Sequence, residues 1–268
     1  MGTLFQWRVR LARTPLRRPL AWVRNLGLDA DDVMLASYPR SGNTMLRFML
    51  AEASTGVPAT FETIQRLVPE VGIHVNAWAI VPDNGRLIKT HEKYCAKYRR
   101  AIYVYRDVRD AMLSSFARET SLGMLHIHSL DDYVRPFMEG KMTRYGCSWQ
   151  AHVASFLDSP LAARGDLHLV RFEDMRKDLV GTVAQCLQFL GCPVDGARIQ
   201  AAVENNSLSA MQHKEEQSPT LPQVAQTDGR WISKGAVFGW QQKLTEAQNR
   251  IVLDYAGGML SRLGYPET

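Results

Sequence analysis

The sequence predicts an α/β protein with three layers, in which helices flank a mainly parallel central sheet. Apolar runs of strand length alternate along the chain with segments of helical periodicity, and this alternation is typical of parallel sheets. A tight polar loop joins the first such run to the helix that follows it. The composition, 46% hydrophobic and 22% charged, is that of a globular chain with a buried core.

Strands and helices follow from the spacing of apolar residues. Four short apolar runs predict strands at residues 33–38, 86–91, 101–105 and 167–172. Helical spacing predicts helices at residues 44–53, 111–116, 149–157, 180–190, 199–203 and 245–260. The polar stretch 212–233 carries two prolines and predicts a long mobile loop, of the kind that often covers a ligand. We expect the ligand site at the carboxyl ends of the parallel strands.

The basic N-terminus predicts an arm at residues 1–30, ahead of a single domain at 31–268. Six arginines precede residue 27 among apolar residues, and the first acidic residue is Asp29. Such a segment favours peripheral contact of residues 1–27 with an anionic membrane or an acidic partner. Two other interpretations stay open: an arm that packs on its own domain or frays, and a cleaved organelle presequence. Pro15 and Pro19 argue against one continuous helix.

Cysteine, histidine and hydropathy patterns predict the compartment and the partners. The four cysteines have no CxxC spacing and no paired histidines, which predicts reduced thiols. His126 and His128 lie close together without further ligand types nearby, so we expect no metal site. No apolar run reaches about 18 residues and no signal peptide is evident, which predicts a cytoplasmic protein. Much of the net charge of +5 lies in the arm, and no nucleic-acid partner is expected.

The most informative segment is the loop at residues 37–44, which reads SYPRSGNT. A loop between a strand and a helix directs backbone N–H groups and the positive end of the helix at one point, which suits an anion. Arg40 adds a permanent charge with two parallel donors, and Gly42 permits close approach. The loop is not a Walker A sequence, because GxxxxGK[ST] is absent.

At this loop the sequence resembles the sulfotransferases that use 3′-phosphoadenosine 5′-phosphosulfate (PAPS), whose loop has the form YP[KR]SG[TN]T. Residues 103–116 resemble the family's 3′-phosphate segment, in which an Arg at a strand end precedes a Ser by eight residues, here Arg106 and Ser114. Residues 88–91 resemble the catalytic KTH stretch, and residues 171–175 resemble the strand-end YEDM. Weaker matches follow to TSFxxM at 206–211 and RKGxxGDW at 233–240.

The resemblance implies a P-loop-like fold and sulfuryl transfer from PAPS to a hydroxyl of an acceptor. It implies His91 as the general base, and Lys89 and Arg40 as cations for the leaving group. No metal is implied, because these groups supply the positive charge. The residues implied to bind the nucleotide are Arg40, Ser41, Gly42, Asn43, Thr44, Met45, Arg106, Ser114, Phe172, Ser207, Leu208, Ser233, Lys234 and Gly235.

The chain departs from the family pattern at four of these positions. Arg40 replaces the Lys common in the cytosolic branch and keeps the charge. Met45 replaces a Trp that stacks on adenine, and Phe172 replaces a Tyr but can still stack. Ser233 replaces an Arg that holds the 3′-phosphate in the family. The positive charge of Lys234 or of Arg230 is expected to compensate for this missing arginine.

Charged residues near two strand ends have ordinary structural interpretations. Asp107, Arg109 and Asp110 predict a solvated or ion-paired face. Glu173 and Asp174 are expected to cap the helix that follows them.

Two other functional classes and several acceptors stay open at this point. A P-loop nucleotide kinase is disfavoured by the missing Walker lysine, and a non-catalytic nucleotide-binding protein would use the basic arm on a membrane or partner. The oligomeric state has no signature in the sequence. We expect variable segments at 54–85, 117–148 and 212–233 to form acceptor walls, through Phe61, Trp78, Met124, His126, Phe137 and Tyr145. This lining favours a small phenol, a lipid-like alcohol or a natural product over a polysaccharide.

Overall fold

A four-stranded parallel sheet forms the centre of the computed structural model, which describes residues 7, 11, 14, 16–125, 127, 129–219, 221 and 235–267. The strands are β1 (Val33–Ser37), β2 (Leu87–Thr90), β3 (Arg100–Tyr105) and β4 (Leu167–Arg171). Their order across the sheet is β2-β1-β3-β4, and each neighbouring pair is parallel. The predicted fold class is confirmed, and each predicted strand lies within a residue or two of the observed one.

Strands β1, β2 and β3 are buried on both faces, which explains their apolar runs, whereas the edge strand β4 is partly exposed. Val33 and Leu35 of β1 point into one core, while Met34 and Ala36 point into the other. The register pairs Leu35 with Lys89 on one side and with Ile102 on the other. Helices cover both cores, so the molecule has the three layers that the sequence predicts.

The described helices are mostly longer than their predicted counterparts, because polar residues extend each amphipathic segment at its ends. Residues 149–157 are helical as predicted. The helix bounds are α1 Arg17–Arg24, α2 Asn43–Thr55, α3 Ile64–Leu67, α4 Val108–Ser121, α5 Leu130–Met138, α6 Trp149–Leu157, α7 Pro160–Arg164, α8 Phe172–Lys177, α9 Leu179–Leu190, α10 Gly196–Asn205, α11 Leu208–Gln217, α12 Trp240–Lys243 and α13 Glu246–Arg262.

The loop predicted at 212–233 is wrong in its first part. Helix α11 runs through Gln217, and the Ser207 hydroxyl caps it by accepting a hydrogen bond from the Ala210 N–H. The helix is polar on its outer face and buries Met211 on its inner face. Because the apolar stripe is so short, the sequence shows little of the helical periodicity from which a helix is predicted. Residues 222–234 lie outside the described part of the chain.

Asp107 after β3 and Glu173 after β4 are buried, which decides one prediction and corrects another, whereas Asp174 is exposed. Asp107 caps α4 by accepting the Arg109 N–H, and it forms a fully buried ion pair with the Arg109 guanidinium at 2.7 Å. The predicted face is therefore ion-paired but not solvated. Glu173 does not cap α9: it accepts hydrogen bonds from the Asp107 N–H and the Tyr265 hydroxyl, and Asp178 caps α9 instead.

The end of the predicted arm packs against the sheet domain. Pro19 lies in the first turn of α1, where the missing N–H costs little. At the other end of α1, the Arg24 guanidinium donates to the Val71 carbonyl at 2.8 Å and to the Glu70 carboxylate at 3.2 Å. Among the described helices, none combines the length and the apolar character that a bilayer-spanning segment requires.

Candidate active site

A cavity of about 280 Å³ opens at the carboxyl ends of the four strands. The chain leaves β1 toward β2 and later returns on the other side of β1 to form β3, so the loops after β1 and β3 diverge. Ligands of open parallel sheets bind at such a divergence. Each strand delivers a residue that the sequence singled out: Arg40 after β1, His91 after β2, Arg106 after β3 and Phe172 after β4.

The loop after β1 holds a strained backbone beside the N-terminus of α2. Arg40 has φ 68°, which is uncommon for a residue with a Cβ, and Gly42 has φ 91°. A Cβ at Gly42 would lie only 2.5 Å from the Phe172 ring. The glycine therefore permits two things at once, a left-handed turn and the close approach of Phe172 to the loop.

Side chains of the loop divide between the cavity and the core. The Arg40 Nε donates to the Ser114 Oγ at 2.9 Å, across the cavity wall. Burial and the neighbouring guanidiniums of Arg118 and Arg106 lower the pKa of Arg40 to about 9, so it stays charged at neutral pH. The Asn43 amide turns inward and donates to the Leu35 carbonyl at 3.1 Å.

Four buried polar atoms in or beside the site have no hydrogen-bond partner among the described residues: the Tyr38 hydroxyl, the Ser41 Oγ, the Asn43 Oδ1 and the Arg106 Nε. Buried polar groups are normally satisfied, so the Tyr38 hydroxyl and the Arg106 Nε, whose residues line the cavity, mark places where a ligand oxygen fits. Ser41 is buried beside the cavity and does not line it. Thr44 and Met45, at the first turn of α2, also line the cavity. The residues present therefore fit an anionic nucleotide.

Arg106 joins the two sides of the nucleotide end of the cavity. Its guanidinium donates to the Arg40 carbonyl at 2.8 Å and to the Ala236 carbonyl at 2.7 Å, and it lies 4.4 Å from the centre of the Phe172 ring. Burial lowers its pKa, while Asp110 and Glu173 oppose that shift. Ser114, eight residues on, lines the same cavity, as the spacing predicts.

His91 lies at the cavity wall in a neutral form. Its Nδ1 is 2.8 Å from the Ser37 carbonyl, which can only accept, so Nδ1 carries the proton and Nε2 carries the lone pair. Burial, followed by the charge of Lys89, lowers the pKa of His91 well below its ordinary value. The ring is therefore able to accept a proton at neutral pH.

A second histidine, His152 of α6, positions His91, and the sequence did not reveal this role. The Tyr103 hydroxyl donates to the His152 Nδ1 at 2.9 Å, and the His152 Nε2 donates to the His91 carbonyl at 3.2 Å. Burial lowers the pKa of His152 to about 3, which keeps it in this neutral form. The two histidines are 61 residues apart, so no local pattern could predict the contact.

Lys89 forms an ion pair with Glu70, whose carboxylate also pairs with two arginines. Glu70 is a second functional residue that the sequence did not reveal. The backbone of residues 69–71 pairs with Lys89: the Lys89 N–H donates to the Pro69 carbonyl, and the Val71 N–H donates to the Lys89 carbonyl. The Lys89 ammonium lies 3.6 Å from the Glu70 carboxylate. Burial lowers the pKa of Lys89 to about 8, and Glu70 opposes this shift. Glu70 also pairs with Arg24 and Arg144, at 3.2 and 3.5 Å, so one carboxylate anchors three cations.

The other end of the cavity is apolar and aromatic. Met124, Phe137 and Tyr145 line it, as the sequence predicts for an acceptor wall. Phe61 and Trp78 do not: Phe61 is buried against Phe48, and Trp78 is exposed elsewhere. The remaining apolar lining comes from Tyr38, Leu122 and Met142. His126 lies outside the described residues.

One buried carboxylate of this cavity was not expected. Glu119 accepts hydrogen bonds from the Ser115 and Tyr133 hydroxyls at 2.8 and 3.0 Å. Burial raises its pKa to about 7, against the effect of these hydrogen bonds and of Arg40.

Only some residues of the two weaker sequence matches line the cavity. Leu208 and Gly235 line the cavity, whereas Ser207 caps α11 and does not line it. Ser233 and Lys234 lie outside the described residues. In the part of the chain that the structure describes, no three His, Cys, Asp or Glu side chains cluster as metal ligands.

A parallel sheet with cationic loops at its carboxyl edge defines an α/β protein whose cavity suits an anionic ligand. The family model of the sulfotransferase domain matches residues 30–264, and the chain therefore belongs to the sulfotransferase family. Human sulfotransferase 2B1 is 25% identical over 235 residues, which cover 82% of this chain and 63% of the human protein. Mouse sulfotransferase 2A6 is 23% identical over 232 residues, 81% of this chain and 80% of the mouse protein.

Solved structures show the same fold at low sequence identity. Retinol dehydratase, in a complex with retinol and PAP, has a TM-score of 0.70 and 20% identity, over 91% of this chain and 86% of that one. Mouse sulfotransferase SULT7A1, in a complex with PAP, has a TM-score of 0.64 and 21% identity, over 91% and 92% of the two chains.

Proposed function

We propose that the protein transfers the sulfuryl group of PAPS to a hydroxyl of a small acceptor. The observation that carries this proposal is the convergence, in one cavity, of a neutral His91, the buried ammonium of Lys89 and the Arg40 loop at the start of α2. Two structural neighbours hold PAP, the nucleotide that remains when PAPS has given up its sulfuryl group. The family match favours this function over a nucleotide kinase or a non-catalytic nucleotide-binding protein.

Each side chain has a role that its geometry supports. His91 takes the proton of the acceptor hydroxyl at Nε2, because Nδ1 is already committed to the Ser37 carbonyl. Lys89 and Arg40 stabilise the negative charge that develops at the leaving phosphate. PAPS supplies an activated sulfuryl group, and Thr44, Arg106 and Ser114 are the residues we expect to hold its phosphates.

The acceptor end of the cavity favours a small, largely apolar alcohol or phenol. Met124, Phe137 and Tyr145 provide apolar and aromatic contact beside His91, whose ring lies 5.4 Å from that of Tyr145. Complexes of retinol dehydratase contain retinol or androsterone, both of which are compounds of this type.

The test is the release of PAP from PAPS in the presence of a panel of phenols, sterols, fatty alcohols and sugars. We expect acceptor-dependent release by the wild type, and a loss of about 10²- to 10⁴-fold for His91→Ala with PAP binding retained. His213→Ala, which changes an exposed histidine of α11, is the matched control. Equal turnover by His91→Ala and the wild type would remove His91 from the catalytic role.

We also propose that the N-terminal arm contacts an anionic membrane surface. In α1 and the turn after it, Trp22, Val23 and Leu26 are exposed. The Arg24 guanidinium donates a hydrogen bond to the Val71 carbonyl and so holds this segment beside residues 71–75. Ile73 and Val75 of that segment are exposed as well. The ammonium of Lys97 lies 5.5 Å from the Trp22 ring, so positive charge borders the apolar side chains.

A further inference from the structure

The guanidinium of Arg176, on α8 beyond β4, lies in the wall of the cavity and is half-buried. Its one hydrogen bond within the described part of the chain is weak: Nη1 lies 3.9 Å from the Met45 thioether. Its neighbour Lys177, by contrast, pairs with Asp174 in solvent. A half-buried arginine whose described partner is a neutral sulfur atom has donors left for an anion.

The surroundings of Arg176 place it at the nucleotide end of the cavity. A Cβ at Gly235 would lie 3.2 Å from the Phe172 ring and 3.9 Å from the Arg176 Nε. Arg106 donates to the carbonyl of the next residue, Ala236. Two guanidiniums, one from the residue after β3 and one from α8, therefore lie beside the same two-residue segment, 235–236.

The strand order separates this segment from the reacting groups. Lys89 lies in β2 and His91 follows it at one edge of the sheet, while Phe172 and Arg176 follow β4 at the other edge. A ligand that places its reactive group near His91 and spans the cavity brings its far end to Arg106 and Arg176. For adenosine 3′,5′-bisphosphates, the part distant from the 5′ group consists of the adenine and the 3′-phosphate, and of these only the 3′-phosphate carries the negative charge that guanidiniums bind.

We propose that Arg176 is a specificity-determining residue that binds the 3′-phosphate of the nucleotide together with Arg106. This inference rests on the proposed function. The position of the family's usual arginine is Ser233 in this chain, and Arg176 supplies the missing charge from a different element. Its planar fork suits a phosphate better than a single ammonium does.

Calorimetry with 3′-phosphoadenosine 5′-phosphate (PAP) and with AMP tests the inference. We expect Arg176→Ala to weaken PAP binding by about ten-fold or more and to leave AMP binding nearly unchanged, because the two ligands differ in the 3′-phosphate. Arg176→Lys should retain part of the preference for PAP. Lys177→Ala, which removes one positive charge from the same helix in solvent, should behave like the wild type.

Three outcomes would overturn the inference. Arg176→Ala could bind PAP as the wild type does, or it could lose PAP and AMP equally, which would place Arg176 elsewhere on the nucleotide. Alternatively, Lys234→Ala and not Arg176→Ala could abolish the preference for PAP. A wild type that does not bind PAP at all would instead contradict the proposed function, so the two failures are distinguishable.

Discussion

At the scale of single residues, the carboxylate of Glu70 favours the protonated form of Lys89. Lys89 is buried, and burial alone would favour loss of its proton near neutral pH. Glu70 opposes this from 3.6 Å, while Arg24 and Arg144 hold the carboxylate in place. Glu70 does not line the cavity, so we regard it as a positioning residue that acts through Lys89.

The pH dependence of kcat/KM for PAPS tests this role of Glu70. Lys89 must be protonated to stabilise the leaving group, and its pKa is about 8, so activity should fall as pH rises through 8. Glu70→Gln removes the charge that raises this pKa, and the fall should move to lower pH by about 1 unit. Glu204→Gln, an exposed carboxylate on α10, serves as the control. An unchanged profile in Glu70→Gln would exclude this coupling.

Residues differ in how well their roles could be predicted from the sequence. Arg40, His91, Arg106 and Ser114 line one cavity because their motifs come with a strand end that positions them. Glu70 and His152 could not be predicted, because each acts through a contact between segments that are distant along the chain. A lone Glu after a proline, or a His in an amphipathic helix, has no local signature.

At the scale of secondary-structure elements, strands were easier to predict than helix ends. A strand buried on both faces gives an unbroken apolar run, and β1 and β3 are of this kind. Residues 212–217 of helix α11 were predicted as a loop, because the exposed face of the helix is polar and its cap at Ser207 is a single residue. The buried role of Glu173 depends on Asp107 and Tyr265, which lie on other elements.

The N-terminal element carries a prediction of its own about membranes. The wild type should bind vesicles of phosphatidylcholine with phosphatidylserine, and binding should weaken in high salt or without the anionic lipid. Trp22→Ser combined with Ile73→Ser should reduce binding, because both apolar side chains would be lost from one surface. Val194→Ser changes an equally exposed apolar residue elsewhere. Co-sedimentation that is equal for both variants and the wild type would contradict the proposed surface.

At the scale of the whole molecule, the strand order assembles the site. Four carboxyl ends bring together residues from Arg40 to Gly235, and Lys89 and Arg176 lie at opposite edges of the sheet. The fold class followed from the sequence because it depends on repeated local patterns. The acceptor did not, because its wall combines side chains from segments whose arrangement depends on tertiary packing, as the different positions of Phe61 and Phe137 show.

The proposed function requires that the cavity hold a nucleotide that carries a 3′-phosphate as well as a 5′-phosphate. A loop such as that from Arg40 to Thr44 suits the 5′-phosphate of any nucleotide, so we expect selection to depend on Arg106 with Ser114, which line the same cavity. A charge-assisted hydrogen bond contributes about 1.5 to 3 kcal/mol, which is roughly 10- to 150-fold in affinity.

Calorimetric titration of the wild type and of Arg106→Ala with PAP and with AMP is the most direct measurement of this claim. The wild type should prefer PAP by about ten-fold or more without added Mg²⁺, and Arg106→Ala should lose most of that preference. Equal affinity of the wild type for PAP and AMP would contradict the assignment of PAPS as the sulfuryl donor.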